Sequence, residues 1–182
     1  MALKATIYKA DLQIADMDRN YYQDHVLTLA RHPSETDERM MVRLLAFARY
    51  ASDSLVFTKG LFDVDEPDLW QKDLTGAIEL WIEVGQPDEK RILKACGRAA
   101  QVVVISYANN SSIWWNGISS RVERARNLTV LNMPVATSRE LEKLAQRNMQ
   151  LQCTIQDGQI WLTGGDVSVQ IDLATIKSPS AF

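Results

Sequence analysis

The sequence predicts an α/β protein with a mixed central β-sheet, flanking helices and antiparallel hairpins at the ends. Residues 101–107 form a continuous apolar run, which is typical of a strand covered on both faces. Helix-like and strand-like segments alternate around this run. Asp157-Gly158 and Gly164-Gly165 in the C-terminal part are typical hairpin turns. Because 182 residues suit one domain with a substantial core, we expect a single domain over residues 1–182.

The first segments predict a hairpin followed by a helix. Residues 4–15 alternate loosely in polarity, residues 16–20 form a polar turn, and 21–30 alternate again. We therefore expect two paired strands. Ser34 has the side chain of a helix cap, and apolar residues recur at helical spacing up to about residue 51.

The middle of the chain predicts strands near 55–64 and 77–84, followed by a helix over 87–100. Pro87 suits the first turn of that helix because its missing N–H is not needed there. In strand 77–84 the segment Leu80-Trp81-Ile82 is strongly apolar, which favours an interior strand. We expect helix 87–100 to cover the sheet.

The remaining segments continue the alternation and then become strand-rich. Thr137 and Glu140 fit a capping box at the start of a helix. The predicted elements are a helix near 113–125, a strand near 128–132, a helix near 138–148, and strands at 150–156, 159–163 and 166–172.

Composition favours a folded protein with no broad attraction to polyanions. Apolar residues make up 46% of the chain and there are five Trp, which argues against disorder. Lys and Arg total 20 against 23 Asp and Glu, a net charge of −3. This balance disfavours a sequence-blind nucleic-acid coat protein, but it is compatible with an enzyme that needs only a local basic groove.

The two cysteines and the chain start give further expectations. Cys96 and Cys153 have no Cys-x-x-Cys or His-x-x-His partner, so a zinc site is not expected. Met1–Lys4 is not a basic region followed by a long apolar stretch, and we expect no secretion signal. No apolar run approaches the ~20 residues of a membrane span. We expect a cytoplasmic protein without a membrane partner.

Carboxylates recur on one face of the predicted strand 77–84. Glu79, Trp81 and Glu83 share that face because side chains alternate along a strand. A half-solvated strand with carboxylates in water would explain this pattern. In an interior strand, however, a buried carboxylate needs a partner, and a metal ion is one good partner.

Two acids fifteen positions apart suggest a magnesium site. Asp68 and Glu83 could hold one divalent cation if their strands are neighbours, and Glu38 on the first helix could add a third acid, with Glu35 as the alternative. Mg²⁺ is usually held by one or two carboxylates, waters and substrate phosphates. Simpler structural roles stay open for both segments: Pro67-Asp68 is a common turn, and Glu38 favours the helix dipole.

Five runs of the sequence form a specific pattern: Glu35–Met40, Asp65–Trp70, Trp81–Lys90, Thr6–Leu12 and Asp16–Tyr22. Together these runs resemble the YaeQ family of bacterial proteins. The similarity covers nearly the whole chain. It implies a variant of the PD-(D/E)xK nuclease-like fold.

The resemblance also implies roles for individual residues. Pro67-Asp68 corresponds to the first element of the PD-(D/E)xK pattern, and Glu83 to the acidic position of the second. The lysine expected two positions later is Gly85 here. Related nucleases can use a glutamine near that position or a lysine from the following helix. The residues that can take its place are Gln86, Lys90 and Lys94, among which we favour Lys90 for charge, with Gln86 positioning water.

The basic residues of helix 87–100 allow two interpretations. Lys90, Lys94 and Arg98 lie at positions i, i+4 and i+8 and form one stripe, which suits phosphate contacts or a solvated helix face equally. The leading hypothesis is a Mg²⁺-dependent nuclease, with Mn²⁺ able to substitute, acting on DNA or RNA. The alternative is a catalytically inactive nuclease-fold protein that binds nucleic acid or a protein partner.

Overall fold

The computed structural model describes residues 4–180, which form two compact units. The first unit comprises the described residues up to Arg49 together with Ala136–Asp172. The second comprises Tyr50–Val135 and the described residues from Leu173 onward. Met1–Leu3, on which the expectation of no secretion signal partly rests, lie outside the described residues. The single-domain organisation stays a prediction.

Eleven strands and four α-helices occur within residues 4–180. The strands are β1 (Thr6–Asp16), β2 (Tyr21–Arg31), β3 (Leu55–Phe57), β4 (Leu69–Lys72), β5 (Ile78–Val84), β6 (Ala99–Ser106), β7 (Leu128–Asn132), β8 (Asn148–Gln156), β9 (Gln159–Gly164), β10 (Val167–Ile171) and β11 (Ala174–Lys177). The helices are α1 (Asp37–Tyr50), α2 (Glu89–Arg98), α3 (Ser111–Val122) and α4 (Val135–Glu142), and a short 3-10 turn spans Gly60–Phe62.

The first unit contains a five-stranded mixed sheet in the order β10-β9-β8-β1-β2. The predicted hairpin is confirmed, since β1 and β2 are antiparallel from Thr6↔Arg31 to Asp16↔Tyr21. The predicted C-terminal hairpins are also confirmed by the antiparallel pairs β8/β9 and β9/β10. β1 and β8 are parallel, which joins the two ends of the unit's sequence.

Helix α1 is buried around its circumference. Nine consecutive residues, from Met40 to Ala48, have buried side chains, as expected of a helix that is apolar on most faces. Its cap differs from the prediction. Thr36 Oγ1 accepts a hydrogen bond from Arg39 N at 3.1 Å, whereas Ser34 Oγ contacts His32 Nδ1 at 2.7 Å. The cap therefore lies two residues further along than the local pattern indicated.

The second unit contains a six-stranded mixed sheet in the order β11-β7-β6-β5-β4-β3. Parallel pairs join β5 to β6 and β6 to β7, and antiparallel pairs complete both edges. β5 lies between β4 and β6, which confirms the predicted interior position of strand 78–84. β6 includes the continuous apolar run, and its side chains from Val102 to Ser106 are buried.

The predicted cover of helix 87–100 over the sheet is confirmed. Ile92 and Ala95 of α2 are buried in a cluster with Trp81 of β5 and Val102 and Val104 of β6. The two tryptophans of α3, Trp114 and Trp115, pack against the same cluster. Trp114 Nε1 donates to Pro87 O at 2.9 Å. The two indoles therefore pack against the hydrophobic core of the second unit.

Two sheets replace the single central sheet that the sequence predicts. The difference arises from the parallel pairing of β1 with β8, in which Lys9↔Asn148 to Asp16↔Ile155 are partners. This pairing joins segments more than a hundred residues apart, and no local pattern encodes it. The strand expected over 55–64 is limited to β3, since the chain turns at Gly60–Phe62.

Several helix ends also differ from the prediction. α2 begins after Asp88, whose side chain accepts from Arg91 N, so Pro87 precedes the helix. It ends before Ala99, which is extended and pairs with Ile78. α4 begins at Val135, which places the predicted Thr137–Glu140 capping box inside the helix. Within residues 4–180, no helix is long and apolar enough to cross a membrane.

Candidate functional site

Strands β4 and β5 bring Asp68 and Glu83 together. Leu69 pairs with Ile82 in the antiparallel ladder, so the preceding residue, Asp68, reaches the level of Glu83. Asp68 N donates to Ile82 O at 3.0 Å, and Asp68 Oδ2 accepts from Val84 N at 2.8 Å. The main chain on both sides of Glu83 therefore fixes Asp68. This is the neighbouring-strand arrangement that the sequence predicts.

Asp68 is a buried carboxylate held by the main chain. Its relative exposure is 2%, and it lies directly after the 3-10 turn and the polar loop that follows that turn. A Cβ atom added to Gly60 of the turn would lie 3.4 Å from Asp68 Oδ1, and Gly60 has a φ of +52°. The turn thus brings its backbone close to this carboxylate.

Glu83 is the second buried carboxylate, with a relative exposure of 5%. Its Oε1 atom accepts from Trp81 Nε1 at 2.9 Å and from Arg91 Nε at 2.8 Å. Burial raises the pKa of Glu83, and the negative charge of Asp68 raises it further, while Arg91 opposes both effects. A buried acid whose ionisation is disfavoured by a second acid lies in an electrostatic environment in which an added cation would be stabilised.

Arg91 provides the cation on Glu83. Its main-chain N donates to Asp88 Oδ1, which caps α2, and its guanidinium contacts three acceptors. Nε donates to Glu83, Nη1 donates to Val64 O at 2.6 Å, and Nη2 donates to Glu66 O at 2.8 Å. Arg91 therefore joins β5, α2 and the loop before β4.

Sequence reasoning missed Arg91, although a signal for it exists. The buried residues Ile92 and Ala95 define the inner face of α2. Arg91 lies one turn before Ala95 and next to Ile92, so it borders this face. Lys90 and Lys94 lie on the exposed side of the same helix. Helix α2 covers the face of β5 that carries Glu83. The alternation of side chains along β5, taken together with the helical spacing of the buried residues of α2, would therefore have indicated Arg91.

The backbone at Gly85 explains why no lysine lies there. Gly85 has a φ of +112°, a conformation that side chains rarely adopt, although no heavy atom lies within 4 Å of an added Cβ. Its N–H donates to Ile105 O at 2.9 Å at the end of the β5–β6 ladder. Conformation, not crowding, thus disfavours a lysine at this position.

The three predicted substitutes for the lysine are directed elsewhere. Gln86 Nε2 donates to Asn110 Oδ1 at 2.8 Å, at the start of α3. Lys90 is exposed and makes no hydrogen bond or ion pair with the described residues. Lys94 Nζ contacts Asp65 Oδ1 at 3.3 Å in a solvent-exposed pair. The favoured choice, Lys90, is therefore not the cation that contacts Glu83, and its catalytic role stays a prediction.

The acids predicted on the first helix belong to the first unit. Glu38 is half-buried, and its Oε2 accepts from Ser138 Oγ at 3.3 Å. Glu35, the alternative, is buried and accepts from Arg39 Nη1 at 2.6 Å and from Arg43 Nη2 at 2.7 Å. Two arginines thus neutralise Glu35, whereas the role of Glu38 as a third metal ligand stays a prediction.

The donor set at Asp68 and Glu83 can be compared with the needs of a metal ion. Within residues 4–180, no group of three or more His, Cys, Asp or Glu side chains is placed to hold a metal. Two carboxylates alone suit Mg²⁺, which usually takes one or two of them and completes its shell with waters and phosphate oxygens. Glu83 Oε2 accepts no hydrogen bond from the described residues, so this oxygen remains suitable for a cation. The residues present therefore fit Mg²⁺.

Comparison with known proteins shows the family. The profile of the YaeQ protein family matches residues 1–173. YaeQ proteins of Salmonella typhi and Escherichia coli K12 are each 48% identical to the chain over 181 residues, covering 99% of this chain and 100% of each relative. The chain belongs to the YaeQ family, which confirms the resemblance seen in the sequence.

Solved structures of family members confirm the α/β class. The crystal structure of YaeQ from Xanthomonas axonopodis pv. citri has 48% identity and a TM-score of 0.93, and the match covers 96% of this chain and 99% of that one. The structure of YaeQ from Pseudomonas syringae has 34% identity and a TM-score of 0.92, with coverage of 96% and 97%.

Proposed function

We propose that this protein is a Mg²⁺-dependent nuclease of the PD-(D/E)xK type, acting on DNA or RNA. One observation carries the proposal: Asp68, directly before β4, and Glu83 of the adjacent strand β5 are two buried carboxylates, and the charge of Asp68 disfavours that of Glu83. Repulsion between two buried acids opposes folding, because buried charges are costly unless they are compensated, and Arg91 compensates only part of this charge. A cation site gives a reason for their placement.

Asp68 and Glu83 would hold Mg²⁺, and Mn²⁺ would substitute for it. When bound, the ion would polarise a phosphate oxygen and lower the pKa of a bound water. Hydrogen bonds orient both acids: Val84 N fixes Asp68, while Trp81 Nε1 and Arg91 Nε fix Glu83 through Oε1.

Arg91 is a positioning residue in this proposal. It contacts Glu83 and supplies a positive charge on the side where the family pattern expects a lysine. Its planar guanidinium also suits contacts with phosphate oxygens. Gln86, Lys90 and Lys94 remain candidates for orienting water or stabilising developing charge on the phosphate. The exposed amine of Lys90 has the freedom for such a role, because the described residues offer it no ion-pair partner.

A second function is favoured by a different observation. Gly85 has a backbone conformation that disfavours lysine, and the nitrogens of Arg91 already contact one carboxylate and two carbonyls. A nuclease fold without a lysine at position 85 suits a protein that binds nucleic acid, or a protein partner, without cleaving it. The two functions share the fold and differ in catalysis.

Cleavage assays with matched variants separate the two functions. Purified protein with Mg²⁺ or Mn²⁺ is incubated with single- and double-stranded DNA and RNA, beside Asp68→Asn, Glu83→Gln and Lys90→Ala. Glu79→Gln is the control, because Glu79 lies on the same face of β5 but contacts Gln71 Nε2 at a solvent-exposed position. The nuclease proposal predicts metal-dependent cleavage that Asp68→Asn and Glu83→Gln abolish and Glu79→Gln retains.

Two further outcomes would change the assignment. Absence of cleavage with every substrate and both metals would favour the non-catalytic function. Cleavage that Lys90→Ala leaves unchanged would remove Lys90 from the catalytic residues and leave Arg91 as the cation of the site. Because Arg91 also holds the loop before β4, Arg91→Lys is the appropriate variant to test its charge.

A further inference from the structure

The loop before Asp68 is acidic, and three cations of α2 contact it in addition to hydrogen bonds within the loop and one from Lys59 N to Glu66 Oε2. We define the acidic loop as Asp63–Glu66. Arg91 donates to Val64 O and Glu66 O at 2.6 and 2.8 Å, and Lys94 Nζ contacts Asp65 Oδ1 at 3.3 Å. Arg98 Nη1 donates to Asp65 O at 3.0 Å. Three cations of one helix thus contact one short anionic segment.

Apolar burial does little to hold this segment. No side chain between residues 59 and 66 is buried, and Val64 has a relative exposure of 81%. The Lys94–Asp65 pair is also open to solvent, with side-chain exposures of 66% and 70%. Exposed ion pairs contribute little to stability, and segments with few buried contacts open first. The acidic loop is therefore a segment that a competing anion can displace.

The cations beneath the loop have the spacing of a phosphate-binding surface. Arg91, Lys94 and Arg98 follow each other at intervals of three and four residues, which is about 4.5–6 Å along the helix axis. Arg91 also contacts Glu83, so this row begins at the candidate site. Lys90 adds an exposed cation on the same helix.

We propose that the acidic loop occupies a phosphate-binding face of α2, and that the backbone of a nucleic-acid strand displaces the loop when it binds. The carboxylate of Asp65 and the carbonyls of Val64 and Glu66 take the places that phosphate oxygens take in the complex. Displacement of the loop frees Arg91, Lys94 and Arg98 to contact phosphate oxygens. This inference rests on the proposed nucleic-acid function and adds a competing contact within the chain.

Binding without catalysis tests the inference directly. A fluorescent single-stranded oligonucleotide, a 20-residue oligothymidylate, is titrated with protein in EDTA, and anisotropy gives Kd. Asp65→Asn should bind on the order of two- to fivefold tighter than the unmodified protein, the scale of one exposed ion pair. Lys94→Gln should bind more weakly and reduce the slope of log K against log salt by about 0.7, the value for one phosphate contact on a single strand.

A control variant separates the loss of a competing carboxylate from the change in net charge. Glu140→Gln removes an acid from another exposed pair, Lys143–Glu140, in the first unit, and it changes the net charge by the same amount as Asp65→Asn. Glu140→Gln should leave Kd unchanged. Equal effects of the two variants would overturn the inference, and so would an oligonucleotide affinity of Asp65→Asn no greater than that of the unmodified protein, including no binding by either.

Hydrogen exchange gives a second test that needs no substitution. On addition of the oligonucleotide, amides of the acidic loop, residues 63–66, should exchange faster because the loop leaves α2, while amides of residues 89–98 should exchange more slowly. Unchanged or increased protection of residues 63–66 would overturn the inference. These tests are made in EDTA, in which metal-dependent cleavage does not occur, so they report binding alone. Failure of the nuclease proposal would instead appear as intact substrate in Mg²⁺.

Discussion

Arg91 and Glu83 are joined by a charge-assisted hydrogen bond from Nε to Oε1 at 2.8 Å. Glu83 lies on the interior strand β5, and Arg91 lies in the first turn of α2, the helix that covers this strand. The same guanidinium contacts the carbonyls of Val64 and Glu66. One side chain therefore partly compensates a buried acid and holds the loop that precedes Asp68.

Replacement of Arg91 should destabilise the protein. Arg91→Ala leaves Glu83 buried without its cation and frees two loop carbonyls, and we expect a loss of about 2 kcal/mol in the free energy of unfolding, the magnitude of hydrogen bonds to a charged group. The loss should be smaller than for a fully buried pair, because the Arg91 side chain is 32% exposed. Urea denaturation measures it. Lys90→Ala, one residue away and exposed, is the control and should change stability by less than about 0.5 kcal/mol.

Gly85 should resist replacement for a conformational reason. At a φ of +112°, Gly85→Ala should cost about 1–3 kcal/mol although the space beside it is open. Gly97→Ala provides the comparison, since Gly97 lies in α2 with open space and an ordinary φ. There alanine should raise stability by up to about 1 kcal/mol. Similar effects of the two substitutions in thermal or urea unfolding would contradict the assignment of strain to Gly85.

The first unit contains a buried ion pair whose disruption should be costly. Arg43 and Glu35 have side-chain exposures of 6% and 2% and are joined by two hydrogen bonds. Arg43→Met leaves Glu35 with only one of its two arginines, and we expect a loss of about 3 kcal/mol. Lys143→Met, in an exposed pair, should lose less than about 0.5 kcal/mol. Equal losses in chemical denaturation would show that burial does not determine the cost.

The buried thiol of Cys153 gives a pH-dependent prediction. Burial, with the charge of Asp16, raises the pKa of Cys153 from 9.0 to about 12. Because the native state favours the neutral thiol, its contribution to stability is present below pH 9 and is lost as the pH rises towards 12. In Cys96→Ser, thiol labelling at about pH 8–9 should be slow and should become fast in denaturant. Labelling as fast as that of the unfolded chain would contradict this pKa.

Local sequence patterns predict most elements of this fold but not how the two sheets assemble. The strand expected at 128–132 is β7, and the hairpin expected at the N-terminus is β1/β2. The pairing of β1 with β8 depends on contacts between distant segments, which local patterns do not contain. Strand β4 was not predicted, because Pro67 just before it indicates a turn. The four-residue strand β11 has no buried residue and lacks an alternating pattern.

In the candidate site, the alternation of side chains along a single strand was enough to predict the position of Glu83 but not its cationic partner. Parity along β5 indicates that Glu83 faces away from Leu80 and Ile82, and its burial confirms an interior strand. The cation beside Glu83 depends on how α2 is rotated over β5. The spacing of the basic residues along α2 favours Lys90, whereas in the structure Arg91 is the residue that contacts Glu83. Contacts between elements, and not spacing within one, decide this feature.

Calorimetric titration with Mn²⁺ measures whether Asp68 and Glu83 bind a metal ion. We expect saturable binding of one ion that both Asp68→Asn and Glu83→Gln weaken by at least about tenfold, since each removes a carboxylate ligand. Glu79→Gln should bind like the unmodified protein. Absence of binding, or equal affinity in Asp68→Asn, Glu83→Gln and Glu79→Gln, would show that these two acids do not form a metal site.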